Sequence, residues 1–94
     1  MAILGTFPKQ PLERLDYDID FQEWLPSGDL IVSATAVAST GITVETPLID
    51  TTQKVVKVWV TGGTTGATYK IQVTATTAEG RVKEGEIRIK VREY

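Results

Sequence analysis

Asp16, Asp18 and Asp20 stand at i, i+2 and i+4. On a strand that spacing sets three carboxylates in a row on one face, and clustered carboxylate oxygens are what calcium binds. The segment lacks the further ligands and the glycine of an EF-hand loop. Two other readings compete with calcium. Asp20 stands three residues ahead of Glu23, a capping-box spacing. Alternatively, the row faces Arg88, Lys90 and Arg92 of the last segment as an inter-strand charge ladder, where each opposite pair contributes about 0.2–1 kcal/mol.

Other chemistries fail for want of parts. The chain has no His and no Cys, so Ser27, Ser33 and Ser39 have no imidazole to activate them, and disulfides and nearly all zinc chemistry are excluded. Gly62-Gly63-Thr64-Thr65-Gly66 invites a phosphate cradle, but no Lys-Ser/Thr pair and no helix follow it. A turn between two strands explains it better. A carboxylate pair acting on glycosides would need a deep, dry cleft, which a chain of 94 residues has little room to build. The expectation is a protein that is not an enzyme and takes no cofactor.

The elements that would carry these residues are short and alternating. With 41% hydrophobic and 23% charged residues, the chain has the makeup of one small globular domain. The formal net charge of −2 and the pI near 5.0 leave no basic footprint for nucleic acid or an anionic membrane. The start, Met1-Ala2-Ile3-Leu4-Gly5, has no basic region before a long apolar run, so no secretory leader is expected and synthesis in a cytoplasm is.

Residues 1–13 hold Pro8 and Pro11 and read as an extended arm without a regular element. Residues 14–19 fit a short strand, with Leu15, Tyr17 and Ile19 on one face. Residues 20–25 fit one helical turn, closed by Pro26-Ser27-Gly28 and pinned by Phe21, Trp24 and Leu25. From there the pattern is β: runs at 30–39, 42–45, 54–61, 67–77 and 82–92, with 46–53 a connection and a turn at 78–81 where Gly80 is free to take positive φ. Gly85 is a candidate bulge. In the run 30–39 neither alternate set is a strong core face, so its buried side is left open.

Strands at this spacing with alternating faces predict an all-β, immunoglobulin-like β-sandwich of about 6–7 antiparallel strands, in which the first strand commonly lies beside the last. The domain is expected over 14–94. Tyr69, at the start of the penultimate strand, fits a tyrosine corner, with Ile71 where antibody domains place their second cysteine. If Val56, Val58 and Val60 face the core, then Val55, Lys57 and Trp59 face outward, and an exposed indole is a candidate partner contact. The acidic start and basic end of the chain could pair within one molecule or between neighbouring copies.

Three stretches, L-D-Y-D-I-D-F-Q-E-W-L (15–25), V-W-V-T-G-G-T-T-G-A-T-Y-K-I (58–71) and T-T-A-E-G-R-V-K-E-G-E-I-R-I-K-V (76–91), in this order and spacing, resemble a family of small immunoglobulin-like virion proteins of tailed bacteriophages and prophages, the fibre–tail adaptors. The resemblance runs over residues 7–92. Asp20 and Trp24 match its D-x-x-x-W turn. Trp59, Gly62, Gly63, Gly66 and Tyr69 match its W-x-x-G-G-x-x-G-x-x-Y stretch, and Gly80 and Arg81 match its G-R hairpin. The chain departs from the pattern at Phe21, where the family usually carries Trp, and near Ala36, where a large ring often stands. The resemblance implies a non-enzymatic head–tail or tail-region component of the virion. It would be made in the host cytoplasm and bind other virion proteins, or copies of itself, rather than nucleic acid or membrane. The rival is a carbohydrate- or surface-binding module, which requires aromatics clustered on one face or at loop tips.

Overall fold

The computed structural model describes residues 2–93. Eight strands lie among them, and no helix: β1 (Ala2–Lys9), β2 (Leu15–Asp20), β3 (Ile31–Ala38), β4 (Ile42–Val44), β5 (Leu48–Ile49), β6 (Val55–Gly62), β7 (Thr68–Thr77) and β8 (Val82–Val91). One sheet has the order β1-β8-β7-β3 and the other β2-β6-β4, with β5 also paired to β6. The two face each other as a sandwich.

The core follows from period-2 alternation. Val56, Val58 and Val60 of β6, Ile71, Val73 and Ala75 of β7, and Ile89 and Val91 of β8 are all fully buried, with Ile87 and Ile19 nearly so. These are mostly β-branched side chains, which suit a pleated surface. Burying each contributes roughly 1.5–3 kcal/mol relative to exposure.

The stretch expected to be an arm contributes β1, which runs parallel to β8 from Ala2↔Gly85 to Lys9↔Val91. Pro8 is admitted because β1 is an edge strand, where a missing N–H breaks no central ladder. The register irregularity near Gly85 lies in β1, between Ile3 and Gly5, while β7 and β8 pair regularly through Gly85. Lys9 is buried, 1% exposed. Its Nζ donates to the carbonyls of Gln10 (2.8 Å) and Gly62 (2.7 Å), tying the end of β1 to the end of β6. Burial pushes the ammonium below its ordinary pKa, and Glu13 partly offsets that.

Residues 20–25 form a single hydrogen-bonded turn, too short to be a helix. Leu25 N–H donates to Phe21 carbonyl at 3.0 Å, and Asp20 Oδ1 accepts from Gln22 N–H at 2.8 Å. Asp20 therefore caps the turn. The fold overturns the charge ladder between the aspartate row and the last strand. The strand beside β8 is β1, whereas β2 belongs to the other sheet and pairs antiparallel with β6.

In β3 the register shifts between Ile31 and Ser33. This bulge moves Ile31, fully buried, onto the same side as Ala34, Ala36 and Ala38, and leaves Val32 and Val37 exposed. The buried face thus combines members of both alternate sets.

Candidate functional site

The outer face of the β2–β6–β5 sheet is the most differentiated surface among the described residues. Antiparallel pairing sets Asp16 opposite Trp59, Asp18 opposite Lys57 and Asp20 opposite Val55, and opposed residues share a face. On the other edge of β6, Leu48 stands opposite Lys57. Val55, Lys57 and Trp59 are each half-buried, so the structure brings these three together on the outside of the sheet.

Trp59 is not bare. The Arg14 guanidinium carbon lies 4.1 Å from the centre of its ring, a cation–π distance. Arg14 Nε and Nη2 in turn donate to the two carboxylate oxygens of Glu45, at 2.6 and 2.8 Å. That bidentate pair holds the guanidinium in place over the indole. The hydrogen bond from Arg14 keeps the Glu45 carboxyl below its ordinary pKa and raises that of Arg14. Indole, guanidinium and carboxylate form a ridge. Further along the same face lies a shallow cavity of about 550 Å³, whose lining mixes Leu48, Ile49 and Val55 with Asp18, Asp50 and Lys57. Leu48 is 55% exposed. Asp16 pairs with Lys57 Nζ at 3.2 Å. Asp16, Asp18, Asp20, Glu45 and Asp50 still outnumber Arg14 and Lys57, so the face is acidic around an apolar centre. Among the described residues no cluster of carboxylates is disposed to hold a metal ion.

The structural residues lie elsewhere. Tyr69 is 8% exposed, and its hydroxyl accepts from Thr64 N–H at 2.8 Å. This is the tyrosine corner: a ring at the start of β7 tied back to the loop before it. Gly62, Gly63 and Gly66 of that loop all take positive φ. Gly63 is required twice over, because a Cβ there would lie 2.7 Å from Val91 Cγ2 and 3.3 Å from Tyr69 Cε2. Gly80 turns the β7–β8 hairpin at φ 90°. Trp24 packs half-buried on the core, with Lys83 Nζ 5.7 Å from its ring centre.

Two buried connections were not legible in the sequence. Asp29, 1% exposed, accepts from Leu30 N–H (3.0 Å), Glu79 N–H (3.2 Å) and Arg81 Nη1 (2.9 Å). Burial alone would raise its pKa, but these bonds, with one from Thr77, outweigh burial and hold the carboxyl below its ordinary value. Gln53, at φ 58°, receives Ile31 N–H on its carbonyl (2.8 Å) and donates Nε2 to Ile31 carbonyl (3.1 Å). An Asp or Gln flanked by turn residues gives no local sign of a partner 22 or 52 residues away.

No curated protein matches the chain. A family model described as podophage GP4 fiber-tail adaptor protein gp77 matches residues 9–90, a span that holds β2 to β7, all of β8 but Val91, the Trp59 ridge and the Tyr69 bond to Thr64. This chain therefore belongs to the phage fibre–tail adaptor family, whose members are structural tail proteins.

Proposed function

We propose that this protein is a non-enzymatic connector in the tail region of the virion, and that it binds a neighbouring tail protein through the outer face of β2, β6 and β5. The carrying observation is the pairing of relief and chemistry on that face. The Arg14-roofed Trp59 stands on the same face as the concavity lined by Leu48, Val55 and Lys57. A large ring stacked with an Arg, next to a hollow of mixed apolar and acidic lining, has the composition of an interface hot spot, where Trp and Arg supply much of the binding energy. The complementary partner surface is a basic one with an apolar projection. Binding there needs no catalytic group, cofactor, nucleic acid or membrane. Such a protein is made in the host cytoplasm and acts in the assembled particle.

The test is Trp59→Ala. The indole lies on the outer face but is half-buried under Arg14, so the melting temperature falls while far-UV circular dichroism and a single cooperative transition show that the fold is kept. Incorporation into particles, scored by complementing a phage that lacks the protein, falls at least tenfold, as loss of a hot-spot residue predicts. Normal incorporation of a folded Trp59→Ala protein would remove this face as the contact.

A further inference from the structure

Four strand edges rim the sandwich, and three are protected. β1 carries Pro8, whose carbonyl accepts from the Tyr17 hydroxyl at 3.2 Å. β2 carries the charged row Asp16, Asp18 and Asp20. β4 and β5 are only three and two residues long and are separated by Pro47. Proline, charge and shortness are the usual guards of sheet edges. β3 has none of these three: Ile31–Ala38 is eight residues without a charge or a proline, and its bulge lies between Ile31 and Ser33, ahead of the regular stretch that ends at Ala38.

The hydrogen-bond phase of β3 shows which backbone groups are open. Ser39 N–H donates to the carbonyl of Lys70 at 3.0 Å, so Ser39 and its alternates Val37, Thr35 and Ser33 bond toward β7. The N–H and C=O groups of Ala34, Ala36 and Ala38 therefore point away from β7, toward the free edge. Gln53 covers Ile31, but β3 pairs with no strand other than β7. Along this edge a cleft of about 240 Å³ separates Ala34, Thr35 and Ala36 from Val44, Glu45 and Pro47.

We propose that β3 is a self-association edge, pairing antiparallel with β3 of a second copy about a two-fold axis at Ala36. The register follows from the phase. Ala36 faces Ala36 of the second copy, Ala34 faces Ala38, and Thr35 faces Val37. Every open N–H and C=O then meets its opposite, and the two four-stranded sheets join into one of eight. A second copy is the occupant because the edge is complementary to itself. The strand itself is neutral along its whole length, and the one carboxylate lining the cleft beside it, Glu45, is paired with Arg14, so no unpaired like charges are opposed across the axis. Only small inward side chains suit the narrow cleft, and the partner strand brings Ala34, Ala36 and Ala38. An eight-residue edge two sheets thick covers roughly 500 Å² per partner, about 1,000 Å² in all, the lower end for a specific interface. The dimer is accordingly weak, and it fills at the high local concentrations of an assembly. This inference rests on β3 and shares only Glu45 with the β2–β6 face.

The full chain is tested by sedimentation velocity over a wide concentration range, beside Ala36→Pro and Val37→Lys. Ala36→Pro deletes an N–H that faces the open edge and leaves the β3–β7 ladder whole. Val37→Lys changes an exposed side chain (65% exposed) and sets two like charges diagonally across the axis. The parent is expected to pass from monomer to dimer as concentration rises. Both variants should stay monomeric at concentrations where the parent is dimeric, and Val37→Lys should melt as the parent does. Hydrogen exchange at the Ala34, Ala36 and Ala38 amides should slow only in the dimer. A parent that stays monomeric throughout, a folded Val37→Lys that dimerises like the parent, or a dimer with those amides unprotected would each overturn the proposal.

Discussion

Replacing Tyr69 with Phe removes one oxygen and keeps the ring that rests between Gly41 and Gly63. What is lost is the 2.8 Å hydrogen bond in which the hydroxyl accepts from Thr64 N–H. A buried donor left without its partner costs about 1–3 kcal/mol. Thr64 lies in an exposed loop, where water can reach the freed N–H, so the effect belongs at the low end, about 1 kcal/mol. For a domain this size, that lowers the melting temperature by roughly 4–8 °C. Tyr69→Ala also deletes the buried ring and should cost about 3–5 kcal/mol, on the scale of other aromatic truncations. The assay is thermal unfolding followed by circular dichroism, with urea titration to check that the m-value is unchanged. A Tyr69→Phe protein that melts with the parent would refute the corner as a stabilising tie. If the two variants were equally destabilised, the hydroxyl would outweigh the ring, and the packing account of this corner would be wrong.

Gly63→Ala forces a Cβ to 2.7 Å from Val91 Cγ2 at φ 97° and should destabilise by about 1–3 kcal/mol. Gly62→Ala has open space and bears only the backbone penalty of about 1–2 kcal/mol, so chemical denaturation should rank Gly63 as the costlier site. Asp29 has a folded pKa below its ordinary value of 3.8. The folded state then binds fewer protons than the unfolded one. Its stabilising contribution is present above the ordinary value and is lost as pH falls through the depressed folded pKa. Asp29→Asn should lower stability at neutral pH and flatten the loss of stability as pH falls from above 3.8 to below it, read from urea midpoints across that range. An acid limb of unchanged steepness would remove Asp29 as its source.

Local patterning carried the all-β class, the inward row of β7 and β8 and the outward placement of Trp59, because side-chain alternation along a strand is a property of the strand itself. Tyr69 was legible for a related reason, since its partner lies only five residues upstream. The positive-φ glycines of the loop at 62–66 were legible as turn residues. What covers or pairs with a residue was not. The aspartate row reads equally well against Lys57 or against Arg88, Lys90 and Arg92 until β2 is assigned to one sheet or the other. The bulge in β3 arises from pairing with β7, and without it neither alternate set of residues in that run makes a core face. The Arg14–Glu45 pair over Trp59 joins residues 31 positions apart, and the Asp29–Arg81 pair spans 52. Alternation and turn chemistry are local and are written in neighbouring residues. Pairing between distant segments comes from closing two sheets over one core, so it was decided only when the chain folded.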